Sequence, residues 1–216
     1  MKKLERLSAL ALAQEPARPA LEYQDRSINW GEMRELADRV SGLIEASGAE
    51  PGAPIAFAPR NRPSAITVLL ALVAKRRSIR MLDAYQSATE IARDLEQANC
   101  PLIIAAAEDF SPQLIAALWE HGIAGIALNE AMDAFAIPGR EQSTFIGEND
   151  APSVPQIDSL GANTASLFSI TYEAIADHLG QASDIGALPI ATIPALHTAL
   201  QAMLNSEGRM ILLDRD

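Results

Sequence analysis

Chemistry in a protein needs particular side chains at particular spacings, and in this sequence the histidines are the first to test. His121, His178 and His197 are the only three, and no pair has the four-residue helical spacing by which a zinc motif turns two rings toward one ion. Asp177 and His178 are adjacent, so on a helix they point in different directions, and His197 stands among Pro194, Leu196 and Leu200 as a helix-face residue. Cys100 is the single cysteine. It excludes an intrachain disulfide and a Cys-rich metal site, and its place before Pro101 and an apolar run, with no base beside it, reads as a structural thiol. The nucleophile elbow Gly-x-Ser-x-Gly is absent. Gly122-Ile123-Ala124-Gly125 precedes a strand instead of following one, which removes the dinucleotide reading. Glu108-Asp109 and Glu148-x-Asp150 read as loop charges, not as a carboxylate dyad. One polar stretch remains, Asp158-Ser159-Leu160-Gly161-Ala162-Asn163-Thr164-Ala165-Ser166, rich in hydroxyls, with one glycine and no cation.

Composition narrows the classes of function. With 49% hydrophobic and 21% charged residues, the chain has the makeup of a globular protein and the length for one core of two to three layers. A net charge of −11 argues against a nucleic-acid surface, which needs clustered Lys and Arg; Lys75-Arg76-Arg77 is too short a run to supply it. The longest apolar stretch, Ala65–Ala74 with Thr67 its one polar residue, is about half of the ~20 residues a membrane span requires. Met1-Lys2-Lys3 followed by Leu7–Ala13 imitates a secretory signal, but Glu5 and Arg6 shorten its apolar part, and an amphipathic first helix packed on the domain is the expectation. A lone cysteine fits the reducing cytoplasm.

The elements that must position any site alternate regularly. Residues 21–24 and 26–29 flank Asp25 as a short hairpin. Asn29 with Glu32 forms a capping box that opens a helix carrying Met33, Leu36, Ala37, Val40, Leu43 and Ile44, closed by Gly48. Strands are predicted at 54–58, 79–82, 102–105 and 123–128. Between them lie helices started at Asn61-Pro63, at Ser87 with Glu90, and at Ser111-Pro112. This β-to-α alternation predicts an α/β fold with a mostly parallel sheet and helices on both faces. Residues 1–137 form its first part, 138–169 a long loop rich in Pro, Gly, Ser and Asn, and 170–216 its continuation. That continuation holds a helix capped by Thr171, strands at 187–192 and 209–213, and a helix over 194–204. Trp30, Trp119, Phe57 and the apolar helix 65–74 are predicted core.

Several of these steps resemble the adenylate-forming superfamily, the AMP-dependent synthetases and ligases that include acyl-CoA synthetases. Ile28-Asn29-Trp30-Gly31-Glu32 resembles the family's first hairpin-to-helix step, and Gly48-Ala49-Glu50-Pro51-Gly52-Ala53-Pro54-Ile55 its Gly-x-x-x-Gly-Asp-x-Val lead into a strand. Arg60-Asn61-Arg62-Pro63 resembles the Asn start of the next helix, and Leu82-Asp83-Ala84-Tyr85-Gln86-Ser87 the Leu-Asp-Pro-x-x-Ser step. The register runs on through Ile170–Ile175, so the resemblance is to the N-terminal portion of an acyl-CoA synthetase. It implies that residues 158–166 occupy the place of the phosphate loop, which in the family reads roughly Thr-Ser-Gly-Thr-Thr-Gly-x-Pro-Lys. There glycine N–H groups and a Lys hold the ATP phosphates. Here Leu160 and Asn163 fall on the glycines and Ser166 on the Lys. Arg76 falls where a glycine usually ends the helix, Met81 and Ala84 where prolines stiffen the step, and Thr192 and Ala195 where a His or aromatic residue and a Gly shape the acyl pocket.

On that resemblance the expected function is an acyl-CoA synthetase-like domain without adenylating activity of its own, acting as a binding or assembly module. The alternative is one subunit of a split acyl- or aryl-CoA ligase. Ser159, Gly161, Thr164 and Ser166 mark the degenerate loop, whose hydroxyls give at most weak contact to an anion, so no cofactor is expected beyond weak ATP and Mg²⁺ contact. The family's adenine, ribose and Mg²⁺ motifs and its catalytic Lys are not found in these 216 residues. The expected partner is a second copy or another protein, held by Leu196, Leu200, Met203, Leu204, Ile211 and Leu213 on the surface that the family's next subdomain would cover.

Overall fold

The computed structural model of the protein describes residues 3–147, 152–160, 167–178 and 210–212. Helix α1 (Lys3–Leu12) comes first, as the amphipathic reading expects. Strands β1 (Pro19–Tyr23) and β2 (Arg26–Asn29) follow as a hairpin. Its two turn residues, Gln24 and Asp25, both have positive φ, 47° and 61°, the backbone that matches the right-handed twist of paired strands. Asn29 then caps α2 (Trp30–Ala46) in the capping box its sequence announces: Glu32 N–H donates to Asn29 Oδ1 at 2.9 Å and Asn29 N–H to Glu32 Oε2 at 3.0 Å.

The main sheet begins with β3 (Ile55–Ala58), followed by α3 (Pro63–Ala74), β4 (Ile79–Met81), α4 (Ala88–Ala98), β5 (Leu102–Ala106), α5 (Pro112–His121) and β6 (Ala124–Leu128). Three further strands lie where the sequence predicts none. A short β7 (Ala134–Ala136) turns back antiparallel to β6, and β8 (Gln156–Leu160) with β9 (Leu167–Thr171) form a hairpin. The stretch 138–169 is therefore not all loop. Its prolines end before Gln156, and a five-residue strand is short enough to be hidden among the polar residues and Gly161 that follow. The sheet order is β7-β6-β5-β3-β4-β8-β9, with every neighbouring pair parallel except the two at the edges. After β9, Thr171 Oγ1 accepts from Ala174 N–H at 3.2 Å at the start of α6 (Tyr172–His178).

The last strand, β10 (Met210–Leu212), pairs parallel with β1 in a separate three-stranded sheet, not with the main sheet. The expected strand 187–192, the helix 194–204 and Leu213 lie outside the described residues, as do the side chains of Ile211 and His178 and all of His197.

Helices cover both faces. One apolar cluster joins α1, α2, α3 and α6 to Ile55, Phe57, Ile79, Met81, Ile104 and Ile126; the other joins α4 and α5 to Ala56, Ala58, Ile103 and Ala105. Helix α3 is buried on every side from Pro63 to Val73 because α1 and α2 close over it, which is why its sequence is apolar all round instead of striped. Trp119 departs from expectation. It is 57% exposed, because the buried stripe of α5 runs through Leu114, Ala117 and Leu118 and the next residue turns off it. Its ring instead lies 4.8 Å from the Arg140 guanidinium.

Candidate functional site

Strands β6, β5, β3, β4 and β8 are parallel, so the segments that leave their carboxyl ends meet along one edge of the sheet. The chain moves from β3 outward to β4 and then crosses back to β5 on the other side of β3. The carboxyl ends of β3 and β5 therefore form the switch point at which open α/β sheets bind ligands.

Side chains from four of those segments fill this switch point. Arg60, two residues past β3, lays its guanidinium on the Asp109 carboxylate, with Nε–Oδ1 3.0 Å and Nη2–Oδ1 2.5 Å. The Asp109 side chain is 3% exposed. Burial pushes the Asp109 carboxyl above its usual range, and the hydrogen bonds and charge of Arg60 pull against that shift. Tyr85, after β4, lies 5.4 Å beneath Arg60 and accepts a hydrogen bond from Asn61 N–H at 3.0 Å. Arg62 pairs with Glu108 at 2.6 Å and with Glu130 at 3.3 Å. Asp109 is thus no surface loop charge: it ends the short 3-10 turn Ala107–Asp109 that follows β5, and it is buried. The signal that could have found it is that position at a strand end, opposite the two arginines that follow β3.

The hydroxyl-rich stretch begins at the same edge, at the end of β8. Ser159 is half-buried, in register with Met81 of β4 and Phe168 of β9. Asp158 points to the opposite face and is 3% exposed. Its Oδ1 accepts from Ser169 Oγ at 2.5 Å and from Gln156 Nε2 at 2.7 Å, and its Oδ2 lies 3.6 Å from Arg80 Nε. The only acid of the stretch is thereby engaged inside the sheet. Gly161, Asn163, Thr164 and Ser166 lie outside the described residues, as does the Leu160 side chain, so of the sequence-derived site residues the structure places Ser159 alone. A magnesium-bound triphosphate calls for a cluster of backbone N–H donors and a cation. By sequence the stretch offers hydroxyls and one glycine, and its carboxylate, Asp158, is buried.

Other candidate groups stand apart. His121 lies 3.4 Å from Glu96 across α4 and α5, one third exposed. Among the described residues no group of three or more His, Cys, Asp or Glu side chains is arranged to hold a metal ion, and no helix is long and apolar enough to cross a membrane. Cys100 is fully buried, its thiol donating to Ala98 O at 3.1 Å, and burial pushes it up to about 12. The thiolate is the reactive form, so the folded protein should resist iodoacetamide at pH 8 and be labelled at a rate set by unfolding. Labelling as fast as a free thiol under native conditions would contradict this burial.

A family model described as AMP-binding enzyme matches residues 9–167. Among curated proteins none matches. Among solved structures, apo MatB from Rhodopseudomonas palustris matches with TM-score 0.70 at 18% identity, over 97% of this chain and 45% of that one. The N-terminal domain of FACL13 from Mycobacterium tuberculosis matches with TM-score 0.71 at 15% identity, over 100% of this chain and 58% of that one. A fatty acyl CoA synthetase from Mycobacterium tuberculosis matches with TM-score 0.70 at 14% identity, over 99% and 45% respectively. At these identities the matches speak for the fold. The chain spans about half the length of the structures it matches.

Proposed function

Since the chain belongs to the AMP-binding enzyme family, we propose that it is an acyl-CoA synthetase-like N-terminal portion that does not form adenylates by itself and serves as a binding or assembly module. The sequence supports the proposal: on the family resemblance, the stretch 158–166 takes the phosphate-loop position with Leu160 and Asn163 for the glycines and Ser166 for the Lys. Adenylyl transfer depends on donors and positive charge fixed in advance around the phosphates. A serine supplies a hydroxyl and no charge. Leu160 adds a side chain where bare backbone would have to approach the ligand. The switch point supports the same reading, because its arginines are already paired with Asp109, Glu108 and Glu130.

The test is ATP–pyrophosphate exchange by the isolated chain with fatty and aromatic acids. No exchange above background is expected, and exchange abolished by a substitution at Ser166 would overturn the reading. Exchange that appears only on adding a second chain would assign the protein to a split acyl- or aryl-CoA ligase. The assembly half of the proposal predicts a melting temperature that rises with protein concentration. A strict monomer in sedimentation at tens of micromolar would leave only an unlike partner.

A further inference from the structure

The β8–β9 hairpin, which brackets residues 161–166, joins the parallel part of the sheet through three register pairs: Ile79↔Ile157, Arg80↔Asp158 and Met81↔Ser159. A pairing this short at the margin of a sheet specifies its register weakly, and a slip by two residues keeps the same face inward. The outer two pairs would tolerate such a slip, since they set apolar residues against Ile157 and a small hydroxyl. The middle pair would not. Arg80 and Asp158 are 8% and 3% exposed, with Nε 3.6 Å from Oδ2.

The two side chains are also tied to elements on either side. Arg80 Nη1 donates to the carbonyl of Ala98 and, at 3.4 Å, to that of Asn99, the last residue of α4 and its C-cap. Asp158 Oδ1 accepts from Ser169 of β9 and from Gln156 of its own strand. One buried network thus runs from the end of α4 through β4 and β8 to β9. A slip by two residues would set the buried guanidinium opposite Gln156 or Leu160 and strand the carboxylate without a cation, a costly state for a charge out of water.

We propose that the Arg80–Asp158 pair is a register lock that fixes the β8–β9 hairpin against the sheet, its role being positional and separable from the stability it contributes. Buried ion pairs are often replaceable by apolar residues at no loss of stability, while their best-attested service is to specify register. The lock therefore predicts a split between two readouts.

Residue-resolved hydrogen exchange and the urea midpoint should be measured on the full chain and its variants. In Asp158→Asn and in Arg80→Met, the amides of β8 and β9 should exchange at least tenfold faster than in the parent. In the double variant Arg80→Met with Asp158→Leu, the urea midpoint should return to near the parental value while those amides stay at least tenfold faster and the amides of β3 and β5 keep their protection. If the double variant restores hairpin protection together with the midpoint, or if neither single variant changes hairpin exchange, the lock is wrong. Should the charged-residue variants not fold, Ser169→Ala removes only the β9 tie to Asp158 and should raise exchange several-fold in β9 alone. Unchanged β9 exchange in that variant would equally overturn the proposal.

Discussion

Replacing Phe57 by Ala should destabilise the protein by about 4 kcal/mol, the cost typical of emptying a buried aromatic site. Phe57 lies in the central strand β3, 0% exposed, with register partners Met81 and Ile104 on either side. Strands flank it and α3 belongs to the same apolar cluster, so the surroundings cannot collapse into the void, and the cavity adds to the lost transfer energy. In a domain of this size such a loss lowers the melting temperature by roughly 10 °C. Phe135, 43% exposed on the edge strand β7, is the control, and its change to Ala should stay within about 0.5 kcal/mol. Urea denaturation of both variants checks the pair. A Phe57→Ala cost below about 1 kcal/mol would mean that the sheet does not pack as described.

Removing Arg60 should be the most damaging single change at the switch point. Arg60→Met leaves the Asp109 carboxylate buried without its bidentate partner, and breaking such a pair costs about 3 kcal/mol, at the low end of the usual range because Arg60 keeps 27% exposure. The pH dependence has a definite sign. The folded-state Asp109 carboxyl already lies above its ordinary value through burial, with Arg60 holding it down, so without Arg60 it should rise further. A raised carboxyl contributes stability that is complete below the unfolded value and is lost as pH rises through the folded one. The variant should therefore be weakest near neutral pH and recover part of its loss as the pH falls toward the ordinary carboxyl range of about 4. Urea midpoints at pH 7.5 and pH 5 test this. A loss equal at both values would show that Asp109 is not the stranded charge.

The alternation of strands and helices was legible because α2, α4 and α5 carry their own local signals. Asn29 with Glu32, and Ser87 with Glu90, form capping boxes, and Ser111 accepts from Leu114 N–H, contacts that sequence proximity alone can announce. Arg76, where the family resemblance expects a glycine, does adopt the left-handed backbone, with φ 59°. Its side chain reaches Glu5 of α1 at 3.5 Å, a contact separated by some seventy positions that no local pattern encodes. The hairpin β8–β9 was hidden for a related reason. Its five-residue strands mix Asp158, Ser159 and Ser169 among apolar residues, and the Asp158 carboxylate finds Ser169 and Arg80 only across the fold. The switch-point cluster was equally invisible, since Arg60 and Asp109 meet over a separation of 49 residues.

The central claim, that the stretch 158–166 does not hold a nucleotide triphosphate, is tested most directly by calorimetric titration of the isolated chain with Mg-ATP. Binding should be unsaturable up to about 1 mM, corresponding to less than about 4 kcal/mol of affinity. A chain carrying Leu160→Gly, Asn163→Gly and Ser166→Lys together should bind measurably more tightly than the parent. Saturable micromolar binding by the unmodified protein, lost in Ser166→Ala, would contradict the account.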